Sequence, residues 1–250
     1  MNIITNALAL AGFGALLSAH SADLRATEAS IPTYRAHYLL EYKGKHVGST
    51  EIAVTFDGTV GRYRYQSTSN FRGLLRLVSP KPVVERSDFL YVDGQIRPLE
   101  FWYEDGTRRG ERNLHVVFDW ERSRATTTGD GWTVELDLSP DTLDRGSMQV
   151  AVMLDMAAGD GPGRYVLADE DSLKTYEYSA DGEVTLQTAL GMVDTQRFLQ
   201  QRRGSSRRTL LWSAGELRFL PVRIEQQRDG ETRTALQLQS VEWLDGGEGE

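Results

Sequence analysis

The chain has 250 residues, and its 28 Lys and Arg residues against 36 Asp and Glu residues give a formal net charge of −8. This charge disfavours nucleic-acid binding, which needs a basic face to neutralise phosphates. The sequence contains no cysteine, which excludes disulfide bonds, thiolate chemistry and the lipid-bearing cysteine of a lipoprotein.

An almost wholly apolar segment opens the chain, from residue 3 to residue 19. Its length is that of the apolar region of a secretory signal peptide and is marginal for a membrane span, although no Lys or Arg precedes it. Small residues suit cleavage between positions 21 and 29. We therefore predict a signal peptide over residues 1–22 and a soluble periplasmic protein; an uncleaved N-terminal anchor or a buried N-terminal helix are the alternatives.

The remaining sequence is dominated by short runs of β-forming residues, and eight Asp-Gly dipeptides punctuate the chain. Asp-Gly suits the type I′ turn of a tight hairpin, because both central residues of that turn need a positive φ. The runs predict strands at residues 34–42, 46–56, 62–66, 83–92, 96–104, 108–118, 123–128, 132–138, 165–168, 173–179, 183–188, 193–202, 207–212, 217–227 and 231–243. Pro98 and Pro221 fall inside two of these strands and predict edge positions or bulges there.

Two segments break the strand pattern. Residues 71–80 combine apolar residues with Arg72 and Arg76 and predict a short helix that caps the sheet. Ser147–Ala158 has the apolar spacing of a longer helix, for which Ser147 is the predicted N-cap and Gly159 the C-cap.

These elements predict an all-β, mainly antiparallel fold. It is a strongly curved sheet or a partly open β-barrel, with one central α-helix and a short cap segment. Neither an internal repeat nor a linker is visible, so we predict one β-rich domain over residues 30–244. Residues 245–250 are acidic and rich in glycine, which is typical of a flexible tail.

The sequence offers little for catalysis. His37, His46 and His115 are too far apart for a metal motif, and no Gly-x-Ser-x-Gly motif is present. We therefore expect no metal, no cofactor and no enzymatic activity. A glycan-active hydrolase or lyase is the alternative, because acidic residues are plentiful and their pairing in space is not visible from the sequence.

Two surfaces are candidates for binding. The first is an apolar segment that meets a membrane or an acyl chain, unless it only caps the open end of a barrel: Phe71, Leu74, Leu75, Leu77 and Val78. The second is a basic hairpin that meets anionic headgroups or glycan phosphates, unless it is a plain solvated turn: Arg202, Arg203, Arg207 and Arg208. The aromatic residues Tyr63, Tyr65 and Trp102 are predicted to line the concave face of the sheet.

The chain resembles an exported bacterial family, domain of unknown function 3108, over residues 34–243. The resemblance is carried by the strand and turn Tyr42-Lys-Gly-Lys-His-Val-Gly48, by the helix entry Asp144-Arg-Gly-Ser147, and by Thr209-Leu-Leu-Trp212 running on to Leu220-Pro-Val-Arg-Ile224. It implies a cell-envelope location and a curved β fold, and it supplies no catalytic residues.

We expect a periplasmic protein that binds an apolar or amphipathic envelope ligand, a lipid among them, or an envelope protein, in the concavity of its sheet. Peripheral membrane contact is part of this expectation. An assembly factor that presents a sheet edge to a partner strand is a further alternative. A carrier predicts an open apolar cavity, an enzyme predicts two close buried carboxylates, and an edge-binding protein predicts a long unpaired strand without proline or charge.

Overall fold

The computed structural model describes residues 31–202 and 204–244. The predicted signal peptide, Arg203 and the predicted acidic tail lie outside the described residues. The helices are α1 (Leu75–Val78) and α2 (Arg145–Ala158), and a 3-10 turn spans Gly215–Leu217. The strands are β1 (Tyr34–Tyr42), β2 (Lys45–Phe56), β3 (Arg62–Phe71), β4 (Val83–Val92), β5 (Gln95–Glu104), β6 (Leu114–Asp119), β7 (Arg124–Gly129), β8 (Trp132–Asp137), β9 (Thr142–Leu143), β10 (Arg164–Asp169), β11 (Ser172–Thr188), β12 (Gly191–Arg202), β13 (Arg207–Ala214), β14 (Leu220–Arg228) and β15 (Glu231–Trp243).

These strands form one sheet in the order β8-β7-β6-β5-β4-β3-β2-β1-β15-β14-β13-β12-β11-β10-β9. Every neighbouring pair is antiparallel except β9 and β10, which are parallel. The sheet is not closed by hydrogen bonds, yet β9 lies against β5 although the two are far apart in the strand order. The sheet therefore curls around α2, which confirms the predicted all-β, strongly curved fold with a central helix.

Tight turns of the predicted kind join several strands. Asp93-Gly94 connects β4 to β5, and Asp229-Gly230 connects β14 to β15; both residues of each turn have a positive φ, as a type I′ turn requires. Asp181-Gly182 behaves differently. It forms a bulge inside β11, and the pairing with β12 resumes on both sides of it. The prediction of two strands at 173–179 and 183–188 is wrong for this reason.

Three other strand boundaries differ from the prediction by more than two residues. The strand predicted over 62–66 continues to Phe71 as β3, so Phe71 belongs to this strand and not to the predicted cap segment. The strand predicted from residue 108 begins only at Leu114, because residues 105–113 form a loop. The strand predicted from residue 217 begins at Leu220, after the 3-10 turn. Pro98 and Pro221 both lie where the strand register shifts, as expected for residues that cannot donate a ladder hydrogen bond.

Helix α2 begins at Arg145 and not at Ser147, so the predicted N-cap is wrong. Asp144 is the N-cap, and its Oδ1 accepts hydrogen bonds from the backbone N–H groups of Gly146 (2.8 Å) and Ser147 (2.9 Å). The Ser147 hydroxyl accepts in return from the Asp144 N–H at 3.0 Å, which completes a capping box. Gly159 ends the helix with a φ of 87°, as predicted.

The principal core lies between α2 and the inner face of the sheet. Seven residues of α2 are buried, among them Met148, Val152 and Met156. The sheet contributes large side chains such as Tyr38 and Phe89. The helix approaches closely at its start, because a Cβ on Gly146 would lie 2.7 Å from side-chain atoms of both Tyr65 and Ser87.

A second, smaller cluster joins the β5–β8 part of the sheet to β10. Its buried residues are Phe101, Val116, Phe118, Ala125, Leu136 and Ala168. Through this cluster, strands near the two ends of the strand order pack against each other by apolar contacts, without hydrogen bonds between their backbones.

Candidate functional site

Strand direction gives the sheet two ends with different connections. One end, named here the α1 end, carries the 72–82 connection between β3 and β4, the 105–113 loop between β5 and β6, and the turn between β12 and β13. The opposite end carries the turns at 57–61, 93–94 and 120–123. The predicted apolar segment and the predicted basic hairpin therefore lie at the same end of the sheet. In strand order, β2, β1, β15, β14 and β13 separate β3 from β12.

The apolar segment is exposed. Leu74, Leu77 and Val78 expose 81%, 73% and 69% of their surface, while Phe71 and Leu75 are half-buried. Helix α1 contains no buried residue, and no side chain caps its N-terminus. A segment that served to cap the sheet would bury these side chains, so their exposure favours the alternative of an outward contact.

The 105–113 loop beside α1 is held in shape by Asp105. This carboxylate is buried and accepts hydrogen bonds from the backbone and hydroxyl of Thr107 (both 2.8 Å) and from the Arg112 N–H (3.2 Å). Desolvation raises the pKa of Asp105, but the hydrogen bonds from Thr107 and Arg112 outweigh it and leave the pKa below its ordinary value. The loop is therefore preorganised.

The loop and the α1 connection are fixed to each other. The Lys81 N–H donates to the carbonyl of Gly106 at 3.1 Å. Gly106 has a φ of 68°, and a Cβ there would lie 2.5 Å from the Lys81 carbonyl oxygen. Only glycine fits this contact. Because the contact joins the 72–82 connection to the 105–113 loop, the two form one continuous surface, which we name the apolar-basic surface.

The apolar-basic surface is locally cationic. Its two connections hold six Lys and Arg residues against two carboxylates, in a chain with a net charge of −8. The Arg109 guanidinium lies 3.1 Å from Glu111, and that of Arg112 lies 3.7 Å from Asp105. Within the described residues, Arg76 and Arg108 have no ion-pair partner. The surface thus combines exposed apolar side chains with uncompensated positive charge.

A cavity of about 300 Å³ opens between α1 and the 105–113 loop. Its lining residues are Leu77, Val78, Asp105, Thr107, Arg108, Arg109, Glu111 and Arg112. Sequence reasoning missed the three arginines, because residues 108–118 were predicted as a strand. The signal for a loop was present in Gly106 and Gly110, which bracket the segment and both have a φ of 68°.

The predicted basic hairpin is exposed and contacts its own neighbours. Arg202 ends β12, and Arg207 and Arg208 begin β13. The Arg208 Nε donates to the side-chain oxygen of Gln227 at 3.0 Å. Arg203 lies outside the described residues.

The three aromatic residues predicted to line the concave face do not share a surface. Tyr63 and Tyr65 are buried in the principal core. Trp102 lies on the outer face of the sheet, stacked between Arg86 (3.8 Å from the ring centroid) and His115 (5.0 Å between ring centroids). The strand register explains this, since the neighbour of Trp102, Phe101, aligns with the inner face.

The buried carboxylates have structural partners of their own. Asp88 forms two hydrogen bonds with Arg64, at 2.6 and 2.9 Å. Asp144 caps α2 and accepts a hydrogen bond from the Ser87 hydroxyl at 2.7 Å. Full burial raises the pKa of Asp144 to about 6, against the lowering effect of its hydrogen bonds.

Asp169 is the centre of a charged cluster near the start of α2. It lies 3.6 Å from the Arg145 guanidinium and 3.4 Å from the Lys174 ammonium, and it accepts from the Tyr176 hydroxyl at 3.2 Å. Arg145 also lies 3.2 Å from Glu85 of β4. These contacts connect β4, α2 and β10.

The edges of the sheet do not offer the uncharged strand that edge pairing requires. Strand β9 has two residues. Strand β8 carries Glu135 and Asp137, and both lie within 4 Å of the Arg124 guanidinium, at 3.9 and 3.2 Å. Such charges on an edge strand are typical of protection against pairing.

No helix in the described part of the chain has the length and apolar character needed to cross a membrane. Over residues 31–202 and 204–244, His, Asp and Glu residues do not cluster in a group of three or more that could hold a metal ion.

A family model described as "Protein of unknown function (DUF3108)" matches residues 33–236. None of the curated proteins matches the sequence.

Three solved structures are similar to parts of the chain at low sequence identity. A β-barrel-like protein of domain of unknown function DUF1849 from Brucella abortus is 9% identical and has a TM-score of 0.49, with 86% of this chain and 99% of that chain covered. MucB is 11% identical with a TM-score of 0.36, over 84% of this chain and 53% of MucB. A protein with a YmcC-like fold from Bacteroides fragilis NCTC 9343 is 10% identical with a TM-score of 0.34, over 84% of this chain and 94% of that chain.

Proposed function

The chain belongs to the DUF3108 family of proteins of unknown function, and because that membership supplies no activity, we propose a function from the surface of the molecule. We propose that the protein attaches peripherally to an anionic lipid bilayer of the cell envelope. The attachment is made by the apolar-basic surface, in which Leu74, Leu77 and Val78 enter the bilayer interface and the surrounding cations face the headgroups.

One observation carries this proposal: three large apolar side chains are exposed at the tip of a connection that is rich in arginine and lysine. Transfer of an exposed apolar side chain from water into a bilayer is favourable. Full burial of one such side chain stabilises the attached state by roughly 1.5–3 kcal/mol. Each cation near an anionic membrane adds about 1 kcal/mol. Together these terms support a reversible attachment rather than a permanent one.

The distribution of charge supports the same orientation. The protein as a whole carries a net charge of −8 and is repelled by an anionic membrane. The cations of the apolar-basic surface lie at the α1 end of the sheet, with the basic hairpin at the same end. The turns at 57–61, 93–94 and 120–123 of the opposite end hold Asp57, Asp93 and Glu121 against a single cation, Arg122. The apolar-basic surface is thus the part of the α1 end that an anionic surface attracts.

The location in the envelope is part of the proposal. It is supported by the apolar N-terminal sequence over residues 3–19, which has the character of an export signal. A ligand in the concavity of the sheet gains no support from the structure, because α2 and the buried tyrosines fill the space beside it.

The test is co-sedimentation with vesicles that contain phosphatidylglycerol, with the full chain and a matched pair of variants. Leu74→Glu places a charge at the tip, and we expect it to lower vesicle affinity by at least tenfold. Val60→Glu is the control, because Val60 is 90% exposed at the opposite end of the sheet. Any contribution of the N-terminal segment is the same in both variants and cancels in the comparison.

Leu74 is a sharper position for this test than Leu75, which is half-buried. Both variants should unfold at the wild-type temperature, since neither residue belongs to the core. Equal vesicle binding by Leu74→Glu and Val60→Glu would refute attachment through α1.

A further inference from the structure

The cavity between α1 and the 105–113 loop has two chemically different walls. Leu77 and Val78 of α1 form the apolar wall, and Arg108, Arg109 and Arg112 of the loop form the basic wall. We propose that this cavity binds the phosphodiester of a phospholipid that bears a single negative charge and no ammonium group. The inference rests on the proposed attachment to a membrane and names the lipid class that the same surface selects.

The charges of the cavity favour a singly charged ligand. Its lining holds three guanidinium groups and two carboxylates, which leaves one positive charge in excess. Glu111 and Asp105 engage Arg109 and Arg112, while Arg108 has no ion-pair partner among the described residues. A phosphodiester carries one negative charge and accepts hydrogen bonds from a guanidinium in a forked geometry. A headgroup with an added ammonium would bring a positive charge against Arg108.

The basic wall and the apolar wall lie next to each other, as the phosphate and the acyl chains do in a glycerophospholipid. In such a lipid the phosphate adjoins the glycerol, and the acyl chains follow directly. A phosphate held by Arg108 places the glycerol and the first methylene groups against Leu77 and Val78. Exposed Leu74 lies just beyond them in the chain, where the acyl region of the bilayer begins in the proposed orientation.

The basic wall is preorganised, which lowers the entropic cost of binding. The Asp105 carboxylate fixes the loop through Thr107 and the Arg112 N–H. The Gly110 N–H donates to the Thr107 hydroxyl at 3.0 Å, which closes the segment that carries Arg108 and Arg109. These contacts hold the arginine backbones in place before a ligand arrives.

A second cavity on the other side of the same loop provides a contrast. It measures about 370 Å³ and is lined by Glu104, Asp130 and Trp102 among others, with no Lys or Arg. An anionic headgroup has no counter-charge there. The α1 side of the loop is therefore the side suited to a phosphate.

The experiment compares two kinds of vesicle with the same surface charge. Both use a neutral galactolipid as the matrix; one holds phosphatidylglycerol and the other an equal molar fraction of the sulfonated glycolipid sulfoquinovosyldiacylglycerol. The two anionic lipids carry one charge each, but only the first carries a phosphate next to the glycerol. We expect the wild type to favour phosphatidylglycerol by about fivefold, the upper range for one exposed ion pair, because only its phosphate lies close enough to the acyl chains to reach Arg108 while they contact Leu77 and Val78.

The variant Arg108→Gln should lose this preference and retain the weaker binding to both vesicles. Arg122→Gln is the matched control, since Arg122 is 82% exposed and lies at the opposite end of the sheet. Leu74→Glu should lose binding to both vesicles. Binding by the wild type without any preference overturns the phosphate site and leaves the attachment intact, whereas no binding to either vesicle overturns both.

A soluble probe separates a lipid from a free phosphate ester. Dihexanoyl phosphatidylglycerol below its micelle concentration should bind the wild type in a calorimetric titration and should bind Arg108→Gln about fivefold more weakly, because one exposed ion pair is lost. Glycerol 3-phosphate lacks the acyl chains and should bind far more weakly than the lipid. Equal affinity for the two probes overturns the assignment to a membrane phospholipid.

Discussion

Helices α1 and α2 both carry apolar side chains, but they use them in opposite ways. Helix α2 has fourteen residues, a capping box at one end, a left-handed glycine at the other and seven buried residues. Helix α1 has four residues, no side-chain cap and no buried residue, and Leu77 and Val78 face the solvent.

The contrast separates apolar residues that stabilise the fold from apolar residues that the fold leaves in water. The side chains of α2 gain free energy when the chain folds, because the sheet removes them from solvent. Those of α1 gain almost none, so their presence at the tip of an arginine-rich connection requires an explanation outside folding. Attachment to a bilayer supplies one.

Truncation of a buried residue of α2 should give the largest effect on stability. Met153 is buried, and its sulfur lies 3.6 Å from the Tyr34 hydroxyl. We expect Met153→Ala to lower the free energy of unfolding by about 3 kcal/mol, through lost burial and the cavity left behind. Urea denaturation measures this change. Met192→Ala is the control, because Met192 is 64% exposed; similar losses for the two variants would contradict the assignment of α2 to the core.

The second effect is a pH dependence of the unfolding free energy, caused by Asp144, the N-cap of α2. Burial raises the pKa of Asp144 from 3.8 to about 6. Between these values the folded state binds more protons than the unfolded state, so the free energy of unfolding falls as the pH rises from about 4 to about 6. The loss is on the order of 2 kcal/mol and is complete above that window.

The variant Asp144→Asn isolates this contribution. Asparagine is a good N-cap and does not titrate, so the variant keeps the cap and loses the pH dependence. We therefore subtract the unfolding free energy of Asp144→Asn from that of the wild type, and we expect this difference to decrease as the pH rises from about 4 to about 6. Asp141→Asn, at an exposed position nearby, should track the wild type at every pH. A constant difference across the window would show that Asp144 does not titrate there.

A smaller effect is expected at the charged cluster that joins α2 to both sides of the curled sheet. Arg145→Gln removes the partner of Glu85 and one of the partners of Asp169, which keeps Lys174 and Tyr176. Because the Arg145 side chain is 28% exposed, we expect a loss of about 1–2 kcal/mol rather than the larger cost of a fully buried pair. Urea denaturation of Arg145→Gln beside Arg122→Gln measures it; equal stability would mean that the cluster does not hold the two sides together.

The sequence predicts the presence of both helices but the burial of α2 alone, for a physical reason. The apolar spacing of residues 147–158 is sufficient to place a helix against a core, and Gly159 marks its end. The start was placed two residues late, because the sequence of Asp144 and Ser147 does not show which one caps and which one completes the capping box. For α1, the sequence does not show whether the apolar side chains are buried or exposed, because this depends on whether another segment of the chain covers them.

The same limit applies to the face that each aromatic residue occupies. Alternation places Tyr63 and Tyr65 on one face of β3, but the sequence does not say that α2 covers that face. The face that Trp102 occupies can be assigned only once the register of β4 with β5 is known. The cavity wall formed by Arg108, Arg109 and Arg112 depends on a buried aspartate that holds residues 105–113 in a loop, whereas strand propensity alone starts the next strand at residue 108.

The smallest effect on stability should come from truncation in α1. Leu77 is 73% exposed, and we expect Leu77→Ala to change the free energy of unfolding by less than about 0.5 kcal/mol, in contrast to Met153→Ala. The same variant should weaken binding to phosphatidylglycerol vesicles, because it removes apolar surface from both the tip and the cavity wall. Urea denaturation and co-sedimentation of one preparation measure the two quantities together. A loss of stability close to that of Met153→Ala would show that α1 is part of the core, and unchanged vesicle binding would show that its exposed side chains do not meet the bilayer.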